Sequence, residues 1–315
     1  MKMLAVALLL PFLVGVAICD DDQTMALKFL AQYGYTSSTR SGNHDVATAI
    51  TRFQEYFGLP VSGELDDATI GLMKMPRCGV SDSNGETRMR RYNAAGKWAK
   101  KHLTYFVEPG DDLPPDQQRQ IFPLALKFWA DVSGLSFSEA NSASDADIKI
   151  SFGRYSHGGT NVEGTCPYPF NGPGGVLAHA YFPEDGRAHF DEDETYTDGT
   201  SNGVNLLWVA THEFGHSLGL QHSNVNGAIM YPYYTGYVEG MQLHSDDIAG
   251  IQSLYGSDSG GGVQTPAPTE PPAPTNSGNC FDRLDRPCAP YKDAGYCQTY
   301  PENMKYWCEK TCSFC

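Results

Sequence analysis

Apolar positions recur at helical spacing in three early stretches, Thr24 to Tyr33, Asp45 to Tyr56 and Asp66 to Met73. Together they predict a small three-helix domain that ends at Pro76-Arg77-Cys78-Gly79. From Tyr92 to about Tyr255 the pattern becomes mixed. His102 to Val107 reads as a strand, and Pro115 to Val132 as an amphipathic helix that Pro123 should bend or divide. Leu135 to Glu139, Asp147 to Phe152 and Gly175 to Phe182 read as further strands, and Asn205 to Leu218 and Ser245 to Tyr255 as helices. Ser257 to Asn279, rich in Gly, Pro, Thr and Ser, lacks apolar periodicity and reads as a linker, extended where prolines dominate. At the other end, Lys2, an apolar run from Leu4 to Ile18, and Ala17 and Cys19 before Asp20 read as a secretory signal peptide, too short for a membrane span. The predicted units are therefore 1–19 signal, 20–91 helical, 92–256 mixed, 257–279 linker and 280–315 a small module.

The net charge of −15 argues against a nucleic-acid or anionic-membrane partner. No other stretch is apolar enough to span a membrane, so the mature protein is expected to be soluble and extracellular. Of nine cysteines, Cys19 should leave with the signal, and six crowd into the last module, as in disulfide-stapled proteins of oxidising compartments. Cys78 and Cys166 stand apart. Arg88-Met89-Arg90-Arg91 lies between two predicted domains in a polar stretch; it is either solvated surface or a processing site for a furin-like protease.

The most informative stretch is His212-Glu213-Phe214-Gly215-His216-Ser217-Leu218-Gly219-Leu220-Gln221-His222. On a helix, positions i and i+4 share a face, so His212 and His216 present two imidazoles to one point. Gly219 can end the helix in a left-handed conformation and return His222 to the same point. Three neutral nitrogens at about 2.0–2.1 Å from a zinc ion leave the fourth position to water, the arrangement of catalytic zinc. Glu213 is then placed to act as general base on that water. Exposed histidines without metal are the bland alternative, which Gly219 and His222 make improbable.

With these residues the chain resembles the matrix metalloproteinases, or matrixins, from about Thr24 to Tyr255. The resemblance implies a metzincin catalytic domain of α+β or α/β class, with a twisted mixed sheet and three helices. Ala228-Ile229-Met230-Tyr231-Pro232 looks like the family's Met-turn, with Met230 as an apolar floor beneath the metal. Pro232 and Tyr234 would wall the S1′ pocket, and the strand around Leu177 and Ala178 would bind substrate as an added strand. Pro76-Arg77-Cys78-Gly79-Val80-Ser81-Asp82 is similar to the family's cysteine switch, with Ser81 where the family has proline. It implies that Cys78 occupies the fourth zinc position and holds the precursor inactive. A Cys78–Cys166 disulfide is the competing reading. Cleavage after Arg91 would leave Tyr92 as a new terminus, whose ammonium the family pairs with an aspartate, here Asp246 or Asp247.

His157, His179 and His189 fall where matrixins hold a structural zinc. The family's aspartate is replaced by Gly159, and its slot, counted back from Pro169-Phe170, falls on Cys166, which gives a three-His, one-Cys site. A free or intermolecularly paired thiol is the alternative. Asp191 and Glu194, with carbonyls near Asn171, match a family calcium site; solvated acidic surface is the alternative. Asp147 matches one ligand of a second calcium site, which is disfavoured because Arg187 stands where another aspartate is expected.

The six terminal cysteines resemble the ShKT domain, which implies pairs Cys280–Cys315, Cys288–Cys308 and Cys297–Cys312; spacing alone leaves the connectivity open. Lys305-Tyr306 matches the channel-blocking pair of the toxin that names that domain, though a tethering role for a matrix ligand suits an enzyme better. The sequence thus predicts a secreted zinc endopeptidase acting on extracellular matrix proteins or venom targets. The rival is a toxin or binding protein working through residues 280–315. Such a carrier would have no need of Glu213 or Cys78, and both are present.

Overall fold

A computed structural model describes residues 20–36, 46–82, 96–158, 166–200, 202–257 and 313. The signal, Arg91, Tyr92, Gly159 and the six terminal cysteines lie outside the described residues. The N-terminal unit contains α1 (Asp20–Gln32), α2 (Val46–Tyr56) and α3 (Asp67–Met73). α1 begins at Asp20, earlier than the apolar spacing suggested. α3 starts where the Asp66 carboxylate accepts the Thr69 N–H at 2.8 Å, satisfying a donor that the first helical turn leaves free. Phe29, Leu30, Tyr35, Ile50, Phe53 and Phe57 build its core, and that core is completed by Tyr231 and Tyr233 from the second unit. Phe57 meets Tyr233 edge-on with ring centroids 5.1 Å apart.

The second unit is a sheet covered by helices. Its strands are β2 (His102–Val107), β3 (Ser136–Glu139), β4 (Ile148–Gly153), β5 (Val176–Ala180) and β6 (Arg187–Asp191), joined at the edge by β1 (Arg77–Cys78) from the N-terminal unit. The order is β1-β5-β6-β4-β2-β3, and only β5 and β6 run antiparallel, so the sheet is mixed as expected. β7 (Tyr196–Thr197) and β8 (Val204–Asn205) form a separate pair. α4 (Pro115–Ala130) is one helix through Pro123 and is not divided. β6 was not anticipated. Its Arg-Ala-His-Phe-Asp sequence buries Ala188, His189, Phe190 and Asp191 in the middle of the sheet, so the polar residues sit where sequence alone suggests surface.

α5 (Leu206–Ser217) lies within the core, with α6 (Ser245–Tyr255) closing behind it. Asn205 caps α5 by accepting the Trp208 N–H at 2.9 Å. Two indoles fix its carbonyl side: Trp129 donates to the Thr211 carbonyl at 2.9 Å and Trp98 to that of Ser217 at 2.8 Å. Beyond the helix the chain reverses at Gly219, where φ is +106° and an added Cβ would stand 2.1 Å from the Gly96 carbonyl oxygen. Gly219→Ala is therefore expected to lower stability by about 1–3 kcal/mol, measured as a shift in the denaturant midpoint. It should loosen the approach of His222 at the same time.

Candidate metal centres and active site

The helix and its reversal bring the predicted residues together. His212, His216, His222 and Cys78 each offer a ligand atom, all within 4.8 Å of one another. Ring centroids of the three histidines lie 4.7–5.3 Å apart. Each Nδ1 donates to an oxygen that can only accept: His212 to the Ile229 carbonyl at 2.6 Å, His216 to Leu220 at 2.7 Å, and His222 to Asp82 at 2.7 Å. This fixes the tautomer and leaves Nε2 for a ligand. The Nε2 atoms of His212 and His222 are buried without a hydrogen-bond partner, and Cys78 Sγ is 3.5 Å from that of His216. Orphaned imidazole nitrogens aimed at one point beside a sulfur fit a tetrahedral zinc ion.

The electrostatics agree. Burial, with His222 and other neighbours, drives the basicities of His212 and His216 well below the usual histidine value, so both are neutral ligands. Burial and the adjacent Glu213 push the Cys78 thiol well up, so its ionisation needs a cation at this point. Burial raises Glu213 to about 8 against the lowering effect of its Cys78 hydrogen bond, and its Oε2 has no partner. Met230 packs beneath: a Cβ at Gly215 would sit 2.2 Å from its sulfur, so glycine here lets the thioether touch α5. Asp247 holds that turn, accepting the Ile229 and Met230 N–H groups at 2.8 and 3.0 Å.

The segment carrying Cys78 is bound along both rims. Arg77 N–H donates to Gly175 and Gly79 N–H to Ala178, at 3.0 and 2.8 Å; Cys78 N–H donates to Pro232, and Tyr234 N–H to Pro76, at 2.9 and 3.0 Å. Ala178, Pro232 and Tyr234 were predicted to contact substrate, and Leu177 lies on the same strand. The Arg77 guanidinium is buried 3.6 Å from the Tyr33 ring centroid and 4.9 Å from that of Tyr233, and forks onto Asp82 at 2.6 and 3.0 Å. Ser81 in place of proline has not prevented this pairing. Cys78 and Cys166 are both free, so the disulfide alternative is discarded.

A second cluster joins His157, Cys166, His179 and His189, also within 4.8 Å of one another. Cys166 Sγ lies 3.2 Å from His179 Nε2 and 3.1 Å from the Tyr181 hydroxyl, which no sequence signal singled out. Burial opposes it, but side-chain hydrogen bonds with His189 and Tyr181, and a backbone one with Tyr168, hold the thiol below its usual range. At the calcium candidate, Asp191 is fully buried with Oδ2 unpartnered, and Glu194 accepts the Gly174 N–H at 2.7 Å. The Asn171 side chain is committed to the Val176 N–H at 2.8 Å. Burial lifts Asp191 to about 6 and Glu194 to about 7. The disfavoured second calcium site is filled from within: Asp147 pairs with Lys100 at 2.8 Å, and Arg187 forks onto Asp185.

Comparison with known proteins places this geometry in a class. The matrixin family profile matches residues 97–256, and a putative peptidoglycan binding domain profile matches 22–73. Matrix metalloproteinase-19 of Homo sapiens is 41% identical over 297 residues, covering 91% of this chain and 56% of that protein. The hatching enzyme of Paracentrotus lividus is 46% identical, covering 75% and 39%. Matrilysin of Mus musculus is 43% identical, covering 71% and 82%. The chain belongs to the matrixin family of zinc metalloendopeptidases. The family implies a catalytic zinc, and the Cys78 and three-histidine cluster fits a cysteine-switch zinc site. The chain spans about half the length of the first two of these relatives, so what they do as whole proteins does not transfer by likeness alone.

Burial would raise the Asp82 carboxyl, but Arg77 and His222 outweigh it and hold it at about 2. A depressed carboxyl contributes stability that is present above its ordinary value and lost only as pH falls through the depressed one. Amide exchange protection of Cys78 and Gly79 is therefore expected to persist at about pH 4, where free carboxylates are half protonated, and to fail only toward pH 2.

Proposed function

We propose that this chain is a secreted endopeptidase of extracellular proteins, made latent by its own N-terminal unit. The observation that carries the reading is Cys78 Sγ converging with three imidazoles while the residues around it bind both rims of the cleft. In this reading His212, His216 and His222 hold the catalytic zinc, which supplies Lewis acidity to water and to the scissile carbonyl. Glu213, beside the first of these ligands, would take the water proton and return it to the leaving amine. Leu177 and Ala178 offer the strand edge to substrate, Pro232 and Tyr234 wall the pocket after the scissile bond, and Met230 supports the ligand helix.

Latency ends, in this proposal, when a furin-like protease cuts after Arg91 and the N-terminal unit leaves. The new Tyr92 ammonium then pairs with Asp246 or Asp247, which accept from the Ser223 hydroxyl and from the Ile229, Met230 and His244 N–H groups respectively. Secretion is supported by the apolar leader, and no helix among the described residues is long and apolar enough to cross a membrane. The relatives are matrix metalloproteinases and a hatching enzyme, which favours matrix substrates over venom targets. Residues 280–315 are read as an ShKT module that tethers the enzyme to a matrix or channel ligand. His157, His179, His189 and Cys166 are assigned a structural zinc, and Asp191 and Glu194 a calcium ion with the Asn171 loop.

Processed enzyme is expected to cleave a quenched peptide bearing an apolar residue after the scissile bond, and Glu213→Gln to lose about 10²–10⁴-fold in rate with zinc content intact. Cys78→Ser should gain only part of that activity before processing, since the peptide must still displace the segment that pairs with both rims of the cleft. Equal activity before and after processing, indifferent to chelator, would return the function to the terminal module. For the second cluster, metal analysis of Cys166→Ser should show one tightly bound zinc lost; retention of both sinks the three-His, one-Cys assignment.

A further inference from the structure

The three imidazoles are not supported alike. His212 and His216 donate their Nδ1 protons to Ile229 and Leu220, backbone carbonyls of their own unit. His222 finds its acceptor in the N-terminal unit: Asp82 Oδ1, 2.7 Å away, with both side chains fully buried. The same carboxylate takes both arms of Arg77, and Oδ2 also accepts the Tyr35 hydroxyl at 2.8 Å. Asp82 therefore ties the segment bearing Cys78 to the third zinc ligand through one rigid group.

We propose that Asp82 is a positioning residue of the metal centre: the N-terminal unit supplies the outer carboxylate of His222 as well as the fourth ligand, and so helps retain zinc in the latent chain. This rests on the matrixin reading of the site. A carboxylate behind a ligating histidine fixes the ring and makes its free nitrogen a better donor than a carbonyl does. Removal of the N-terminal unit then does two things together. It opens the fourth position, and it strips His222 of its charged partner, leaving the zinc less tightly held and more electrophilic. The latent chain becomes the form in which the metal is best loaded and kept.

The test uses the full chain loaded with inorganic zinc, in a Cys78→Ser background so that the thiolate contributes nothing. Transfer of zinc to a chelator should be about 10–100-fold faster in Cys78→Ser/Asp82→Asn than in Cys78→Ser. Nitrogen-edited NMR of the unsubstituted full chain supplies a readout that needs no change at Asp82. His222 Nδ1–H should appear as a downfield proton protected from solvent, beside those of His212 and His216. Unchanged zinc transfer, or a missing His222 signal where the other two are present, overturns the role of Asp82 and leaves the zinc site standing. Failure of the Cys78→Ser chain to bind zinc at the three histidines overturns both this proposal and the reading beneath it.

Discussion

Three imidazoles, a carboxyl group and a thiol share one dry interior, where the carboxyl and the thiol could carry charge only beside a cation, and the second unit is arranged to keep them there. Burial drives His212 and His216 to the neutrality that ligation needs while lifting Glu213 and Cys78 toward their protonated forms, so the two acids resist the charge they would carry as base and ligand. A divalent ion reverses that balance at one stroke. The rigid parts exist to hold the ligands through the exchange: Trp129 and Trp98 pin the carbonyls of α5, Gly215 admits Met230, and Gly219 turns the chain back. Pre-placing the ligands means that little ordering remains when the metal arrives.

The N-terminal unit uses the same geometry from outside. Its helices share a core with Tyr231 and Tyr233, so it is seated on the wall of the cleft before any sulfur–metal contact is counted. Its trailing strand then adds to the exposed edge of β5, which satisfies the N–H and C=O groups that a substrate would otherwise pair. Arg77, sandwiched between aromatic rings, fixes the angle at which Cys78 enters. In the proposed zymogen, latency would be a packing property of a domain and an electrostatic property of one ion pair. The thiol is the last of several contacts.

Much of this was legible in the chain. The i, i+4 spacing of His212 and His216 and the reversing Gly219 foretold the three-imidazole convergence, because helix geometry leaves two residues at that spacing no other choice. The helices were placed within a few residues, since their apolar faces repeat over several turns. β6 escaped notice because a central strand carrying Arg187, His189 and Asp191 has the composition of surface; His189 enters the second cluster and Asp191 is buried, while Arg187 stays partly in solvent against Asp185. The placing of Cys166 by offset from Pro169-Phe170 brought it to its cluster. Tyr181 and the bond from His222 to Asp82 were invisible, because both are contacts between segments remote in sequence that no local pattern encodes.

β5 also lies between the strand that carries Cys78 and the second cluster. Ala178 offers its carbonyl to the occupying strand, and the next residue, His179, stands opposite His189 in the antiparallel register and belongs to the second cluster. Alternation along a strand makes this possible: one position meets whatever lies in the cleft while its neighbour faces away from it. A metal bound by His157, Cys166, His179 and His189 would staple β5 to β6 and to the chain on either side of residues 159–165. The edge strand would then present its hydrogen-bonding groups in a fixed plane. In the proposed enzyme, such a metal would act without touching the reaction, by holding the edge along which the bound peptide lies.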